Sequence, residues 1–271
     1  MKGHSGDQGN EGSDALAKEG AQKAIPDDLD LAIPMEFDVQ GAKLCTITQA
    51  IAYKGIMESK PPREREAATR NLQQTRDAVR DYCGTQETNE TIWHSLRKRV
   101  LRTRVQQFLY KTMHNVYMVG STWRHVRGAE ERQFCTICRV EDSMEHILTE
   151  CDTLSRRTVW NLAQQTWPHA PDLWPNINLG TILGIGCLSI PRRQAAGENA
   201  SQTPHPTPKE RATLRLLQII LSEAAHLIWV IRCERVIQGS NLLDEPGIRK
   251  RWYRVINERL TTDRITAQKM R

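Results

Sequence analysis

The sequence predicts a mainly α protein, with helical segments grouped around a small knot of cysteines and a histidine. Three observations predict it. Apolar residues recur at helical spacing in several separate stretches. Three cysteines and a histidine crowd into one short window between Phe134 and Cys151. Hydrophobic content is 39% with only 6% aromatics, and mean hydropathy is −0.57. Those values favour a patchy core of helical pieces joined by solvated connectors over one large compact enzyme core.

In order along the chain, residues 10–24 read as one short helix, with Asn10 as cap, Glu11 in the first turn, and Ala15, Leu16, Ala17 and Ala21 as good formers. Pro26 ends it. Residues 27–60 carry little periodicity beyond a weak helix marked by Ile47, Ile51 and Ile56. After Pro61 and Pro62, a charged helix over 63–82 sets Ala68, Leu72, Val79 and Tyr82 on one side, with Gly84 past its end. One long helix is expected over 89–118, its apolar positions running from Trp93 through Leu96, Val100, Val105, Phe108, Leu109 and Met113 to Val116. A further helix is expected over 154–167. Residues 168–211 read as a loop and then, in PRRQAAGENASQTPHPTPKER, as a disordered linker. The last region, 212–271, reads as a helical hairpin. A stripe of Leu214, Leu217, Leu221, Ala224, Ile228 and Ile231 would meet Trp252, Ile256 and Leu260 across the Pro246–Gly247 break.

Charge narrows the partners. There are 38 Lys+Arg against 32 Asp+Glu, a formal net charge of +6. Arg97, Lys98, Arg99, Arg102, Arg104 and Lys111 fall on the 89–118 helix with no acid between Trp93 and Lys111. Unbalanced cations at helical spacing suit nucleic-acid phosphates, and Arg124, His125 and Arg127 would extend that surface. The start of the chain has no apolar leader-like core. The most apolar stretch, 212–238, is interrupted by Arg215, Glu223, Arg232, Glu234 and Arg235, so no membrane partner is expected. Seven cysteines, an odd number, argue for a reducing nuclear or cytoplasmic compartment rather than a disulfide framework.

The window FCTICRVEDSMEHILTEC holds Cys135, Cys138, His146 and Cys151, spaced C-x2-C-x7-H-x4-C. A C-x2-C pair curls round one ion, and a His and Cys five residues apart on a short helix can reach the same ion. Three thiolates and one imidazole make a closed, tetrahedral zinc site that is structural, with no open position for a reactive water. It would organise residues too poor in apolar groups to fold alone. Cys45, Cys83, Cys187 and Cys233 stand apart and read as packing residues.

The N-terminal stretch KGHSGDQGNEGSDALAKEGA closely resembles the closing motif of type-1 ribonucleases H, in which a Gly-His-Ser/Ala-Gly loop precedes Asn-Glu and Ala-Asp on the last helix. The resemblance implies that residues 1–26 are the C-terminal helix region of a ribonuclease H-like domain. It assigns product release or proton transfer to His4, and Mg²⁺ coordination to Asp14. Ser13 replaces the usual Ala. The family's five-stranded sheet and its other acidic ligands precede this motif and are not in the sequence. The chain alone is therefore expected to lack ribonuclease activity; as part of a longer or complemented enzyme it would cleave RNA–DNA hybrids.

A second stretch, FLYKTMHNVYMVGSTWRHV followed by CTIC, EDSMEHIL and Cys151, is similar to the zinc-binding region after the reverse transcriptase of non-LTR (LINE-like) retrotransposons. Together the two resemblances imply a retrotransposon-derived remnant that binds RNA, DNA or their hybrid. The expected organisation is residues 1–26, a linker and charged helix over 27–88, the basic helix plus CCHC zinc knuckle over 89–167, the 168–211 linker, and the C-terminal hairpin. A helical interaction module, or a decayed element without function, is the remaining reading.

Overall fold

The computed structural model describes residues 8–25, 47–60, 65–191, 206–237, 239 and 242–269, and is mainly helical, with no strand among them. The chain divides into two compact units, Met1–Pro62 and Arg63–Arg271.

In the first unit, α1 (Gln8–Gln22) starts two residues before the expected Asn10 cap, and its described side chains are exposed. Helix α2 (Gln49–Ser59) is capped by Thr48, whose hydroxyl accepts from the Ile51 amide at 3.3 Å, and it buries nothing.

The second unit has one continuous core. The charged helix expected between connectors is part of it: α3 (Glu66–Cys83) buries Ala68, Leu72, Thr75, Ala78 and Val79 and ends on the left-handed Gly84. The single helix expected over 89–118 is two. Helix α4 (Asn89–Ser95) and α5 (Thr103–Met113) flank a turn in which Leu96, Val100 and Leu101 are all buried. No Pro or Gly breaks the helix there. The Gln106 side-chain amide instead donates to the carbonyls of Lys98 and Leu101, at 3.2 and 3.0 Å, satisfying groups that a continuous helix would have bonded itself.

Helix α6 (Leu154–Thr166) follows the cysteine knot. Residues 168–191 are not a linker. Trp174, Ile177, Leu179, Ile182, Leu183, Ile185 and Leu188 join the core, and α7 (Leu179–Leu183) lies directly on α3. Gly180 and Gly184, one turn apart, permit that approach: a Cβ on Gly180 would stand 2.9 Å from the Ala78 Cβ, and one on Gly184 would stand 2.6 Å from Val79 Cγ2. Composition hid this because a short helix rich in Gly offers little periodicity. Residues 192–205 of the expected linker lie outside the described residues.

Helix α8 (Pro208–Ile237) begins four residues earlier than expected. Pro208 occupies the first helical position, where its missing N–H costs nothing. Thr207 and Glu210 bond reciprocally, with the Glu210 amide donating to Thr207 at 3.2 Å and the Thr207 amide to Glu210 at 2.7 Å. Every residue from Leu217 to Ala225 is buried, so α8 is surrounded rather than presenting one stripe. By length and composition alone it could cross a membrane, but 67% of that apolar stretch is buried inside the fold.

Helix α9 (Glu245–Lys269) packs on α6 as well as on α8, so the expected hairpin is built into the core. Trp252 is completely buried and its indole N–H donates to Thr166 at 3.2 Å. Gly180→Ala is expected to lower stability by about 1–3 kcal/mol through overpacking of α7 against α3, measured by urea unfolding.

Candidate metal centre and nucleic-acid interface

The cysteine knot is assembled from a tight hairpin and a π turn. Cys135 donates its amide to the Val140 carbonyl at 2.8 Å, and Arg139, in the left-handed region at φ 62°, returns its amide to Cys135 at 2.9 Å. Phe134 and Glu141 form an isolated antiparallel bridge beneath. This fold-back brings Cys135 and Cys138 together.

The His146–Cys151 spacing needs something an α-helix does not provide. Five residues of α-helix turn a side chain about 140° away from its start. Residues His146–Glu150 instead form a π turn, closed by the Cys151 amide donating to the His146 carbonyl at 2.7 Å. Ser143 caps it by accepting from the His146 amide at 2.9 Å.

The four ligand atoms lie within 4.8 Å of one another. Cys135 Sγ and Cys138 Sγ stand 3.7 and 3.8 Å from Cys151 Sγ. Sulfurs bonded to a tetrahedral ion at about 2.3 Å would stand about 3.8 Å apart, so the thiols already hold that edge length. The buried Nε2 of His146 has no hydrogen-bond partner, while Nδ1 lies 3.7 Å from a Glu150 carboxylate oxygen. An orphaned buried nitrogen among three thiols is what a bound cation would satisfy. The group can bind a metal ion.

Its electrostatics are graded. Burial pushes the Cys135 thiol up, but the Cys138 amide, the His146 ring and the Ile137 amide outweigh it and hold the thiol at about 7. Burial raises Cys151 to about 11. The Asp152 amide donates to Cys138 Sγ at 3.3 Å.

Three anchors fix the knot to the helices. Arg156 of α6 donates to the carbonyls of Cys151 and Thr149, the latter at 3.0 Å. Trp160 donates to the Leu148 carbonyl at 2.7 Å. Asp142, between the two ligand pairs, forms a buried ion pair with Arg232 of α8 at 2.7 Å. The sequence marks Arg232 only as a charge interrupting the apolar stretch 212–238 and gives no sign of Arg156 or Trp160 as partners of the knot.

The basic set divides. Arg97, Lys98, Arg99, Arg104 and Lys111 are exposed and form no ion pair with another described residue. Arg102 is different. It grips Glu223 in a bidentate pair, with Nε to Oε1 at 2.7 Å, and Glu223 is 1% exposed. The acid missing from the local sequence comes from the middle of α8. Arg102 is therefore committed to the core, and the free basic face has five cations instead of six. His226 on α8 reports their field: burial first, then Arg104 and Arg102, hold its pKa down at about 4. Arg124, His125 and Arg127 are exposed before the knot, with Arg124 3.9 Å from Glu141.

Asp14 is exposed on α1 and belongs to no described group of three or more potential ligands. His4 lies outside the described residues. Cys83 and Cys187 are half-buried against the core, Cys233 is half-buried, and Cys45 lies outside the described residues. No family model, curated protein or solved structure matches this chain.

Removing one partner of a buried pair strands the other charge. Arg102→Ala is expected to cost about 3 kcal/mol of stability, read by urea unfolding. Arg104→Ala, at an exposed and unpaired position, should stay within about 0.5 kcal/mol of the wild type.

Proposed function

We propose that this chain is a retrotransposon-derived nucleic-acid-binding protein whose cysteine knot holds a structural zinc ion. The carrying observation is a set of five exposed cations that form no ion pair with another described residue, Arg97, Lys98 and Arg99 on the turn before α5 and Arg104 and Lys111 on α5 itself. Cations held apart from any carboxylate repel one another unless a polyanion counters them. RNA, DNA or an RNA–DNA hybrid supplies phosphates at the needed density.

Zinc fits the ligand set better than other divalent ions. Three thiolates and one imidazole are soft donors with tetrahedral spacing, and no ligand position is left for a reactive water. The ion's role is to tie residues 130–155 to α6 and α8. The resemblances to the ribonuclease H closing motif and to the region after a non-LTR reverse transcriptase supply the proposed ancestry. In that reading His4 and Asp14 mark descent, and Mg²⁺-dependent hydrolysis of a hybrid is expected only where further acidic ligands are supplied.

Purified protein is expected to carry one equivalent of zinc, and chelation should unfold residues 130–155. Less than about half an equivalent, with circular dichroism unchanged by chelator, refutes the metal role. Nucleic-acid affinity should fall steeply between about 50 and about 200 mM salt. Replacing Arg97, Lys98 and Arg99 together by Ala should flatten the plot of log affinity against log salt by about 2–3. A wild-type affinity insensitive to salt refutes the nucleic-acid reading.

A further inference from the structure

The solvent side of α5 carries more than charge. Tyr110 is 46% exposed and forms a cluster with two half-buried rings, Trp93 of α4 and His114 just past the end of α5. Trp93 and His114 are stacked, with centroids 4.8 Å apart and 26° between planes. Tyr110 meets His114 edge-on at 4.5 Å and Trp93 at 5.9 Å. Trp93 packs on the core and anchors the group, so the Tyr110 ring is held rather than free to swing.

The surroundings of this cluster are cationic. Helical spacing puts Arg104, Gln107 and Lys111 on successive turns of one exposed face, and exposed Tyr110, one residue before Lys111, lies at the edge of that face. The Gln106 side chain binds the backbone carbonyl of Lys98, which holds the Arg97–Arg99 turn against α5. Burial, and then the Arg65 guanidinium just before α3, lower the His114 pKa, so the ring disfavours the charged form. Helix α5 carries no acid. Glu90 is the carboxylate on α4, 3.7 Å from the exposed His94.

A duplex presents phosphates but keeps its base faces stacked inside, so it has no use for a fixed aromatic ring. A single strand offers both phosphates and open base faces. Single-strand binders combine a basic track with anchored aromatic rings. We infer that Tyr110, braced by Trp93 and His114, is a stacking platform for an unpaired base, and that the nucleic acid bound by the basic face is single-stranded. This rests on the nucleic-acid reading above. Arg104 and Lys111 hold phosphates on either side of the stacked base, without sequence preference, because every base has a π face.

The test uses the full chain in its zinc-loaded form and three fluorescent probes of one sequence: a single-stranded RNA, a single-stranded DNA and the matching duplex. The wild type should prefer either single strand to the duplex. Tyr110→Ala should weaken single-strand binding about tenfold or more and collapse the ratio of single-strand to duplex affinity towards one. Tyr110→Phe, which keeps the ring, should restore the ratio. Tyr110 is exposed, and an unchanged far-ultraviolet spectrum checks that the variant folds. A Tyr110→Ala protein with the wild-type ratio, while Arg104→Ala weakens binding, overturns the platform and leaves the basic face standing. A wild type that favours the duplex also overturns the platform. Failure to bind any of the three probes in a salt-dependent way removes the nucleic-acid reading itself.

Discussion

The second unit is organised round one buried carboxylate. Glu223 lies in the middle of α8, inside a stretch with no other charge between Arg215 and Arg232. A lone carboxylate in that position would be costly, so the fold surrounds it with guanidinium groups. Arg102 takes it bidentately from the turn between α4 and α5, and Arg259 of α9 stands 3.9 Å away. Arg259 also donates to the Val100 carbonyl at 2.7 Å and to Asp263 at 3.4 Å, and Asp263 is held by Arg215 at 2.8 Å. Segments more than a hundred residues apart in sequence meet in one charge network. Such a network specifies which surfaces face each other more than it adds raw stability, because each charge had to leave water first.

The candidate metal centre depends on the same helix from its other end. Arg232, nine residues after Glu223, pairs with Asp142 inside the cysteine knot. The knot has few apolar side chains of its own. Met144, Ile147 and Leu148 face the shared core, and Arg156 and Trp160 bind its carbonyls. Helix α8 thus spans two buried ion pairs, one positioning the turn that carries Arg97–Arg99 and one positioning the cysteine knot. The proposed zinc and the proposed nucleic-acid face are mounted on one rigid support.

The division of the cations follows from burial. Arg102 and Arg104 are two residues apart and look equivalent in sequence, yet one is drawn inward by Glu223 and the other faces solvent. Only the exposed group is available to phosphates. The aromatic rings divide in the same way: Phe108 is core, whereas Tyr110, two positions on, reaches the surface. Because α5 buries one face, residues two positions apart, about 200° round the helix, take opposite roles.

Much was legible in the sequence. The helices at 66–83 and 154–166 and most of the one at 208–237 follow from apolar periodicity, and the Cys135, Cys138, His146 and Cys151 cluster, which could hold a metal ion, follows from residue type and spacing. Thiol and imidazole chemistry is local, so a short window suffices. What needed the tertiary structure were the non-local terms. The break between α4 and α5 has no local cause and arises because Glu223 and the core claim Arg102, Val100 and Leu101. The π turn that unites His146 with Cys151 is closed by the Cys151 amide on the His146 carbonyl, a geometry that residue spacing alone does not specify. Residues 174–188, read as a loop, are core because α3 offers a surface that only glycines can approach. Sequence determined which residues could form helices and bind metal; the packing of distant charges and small residues decided which cations stayed free and which segments became core.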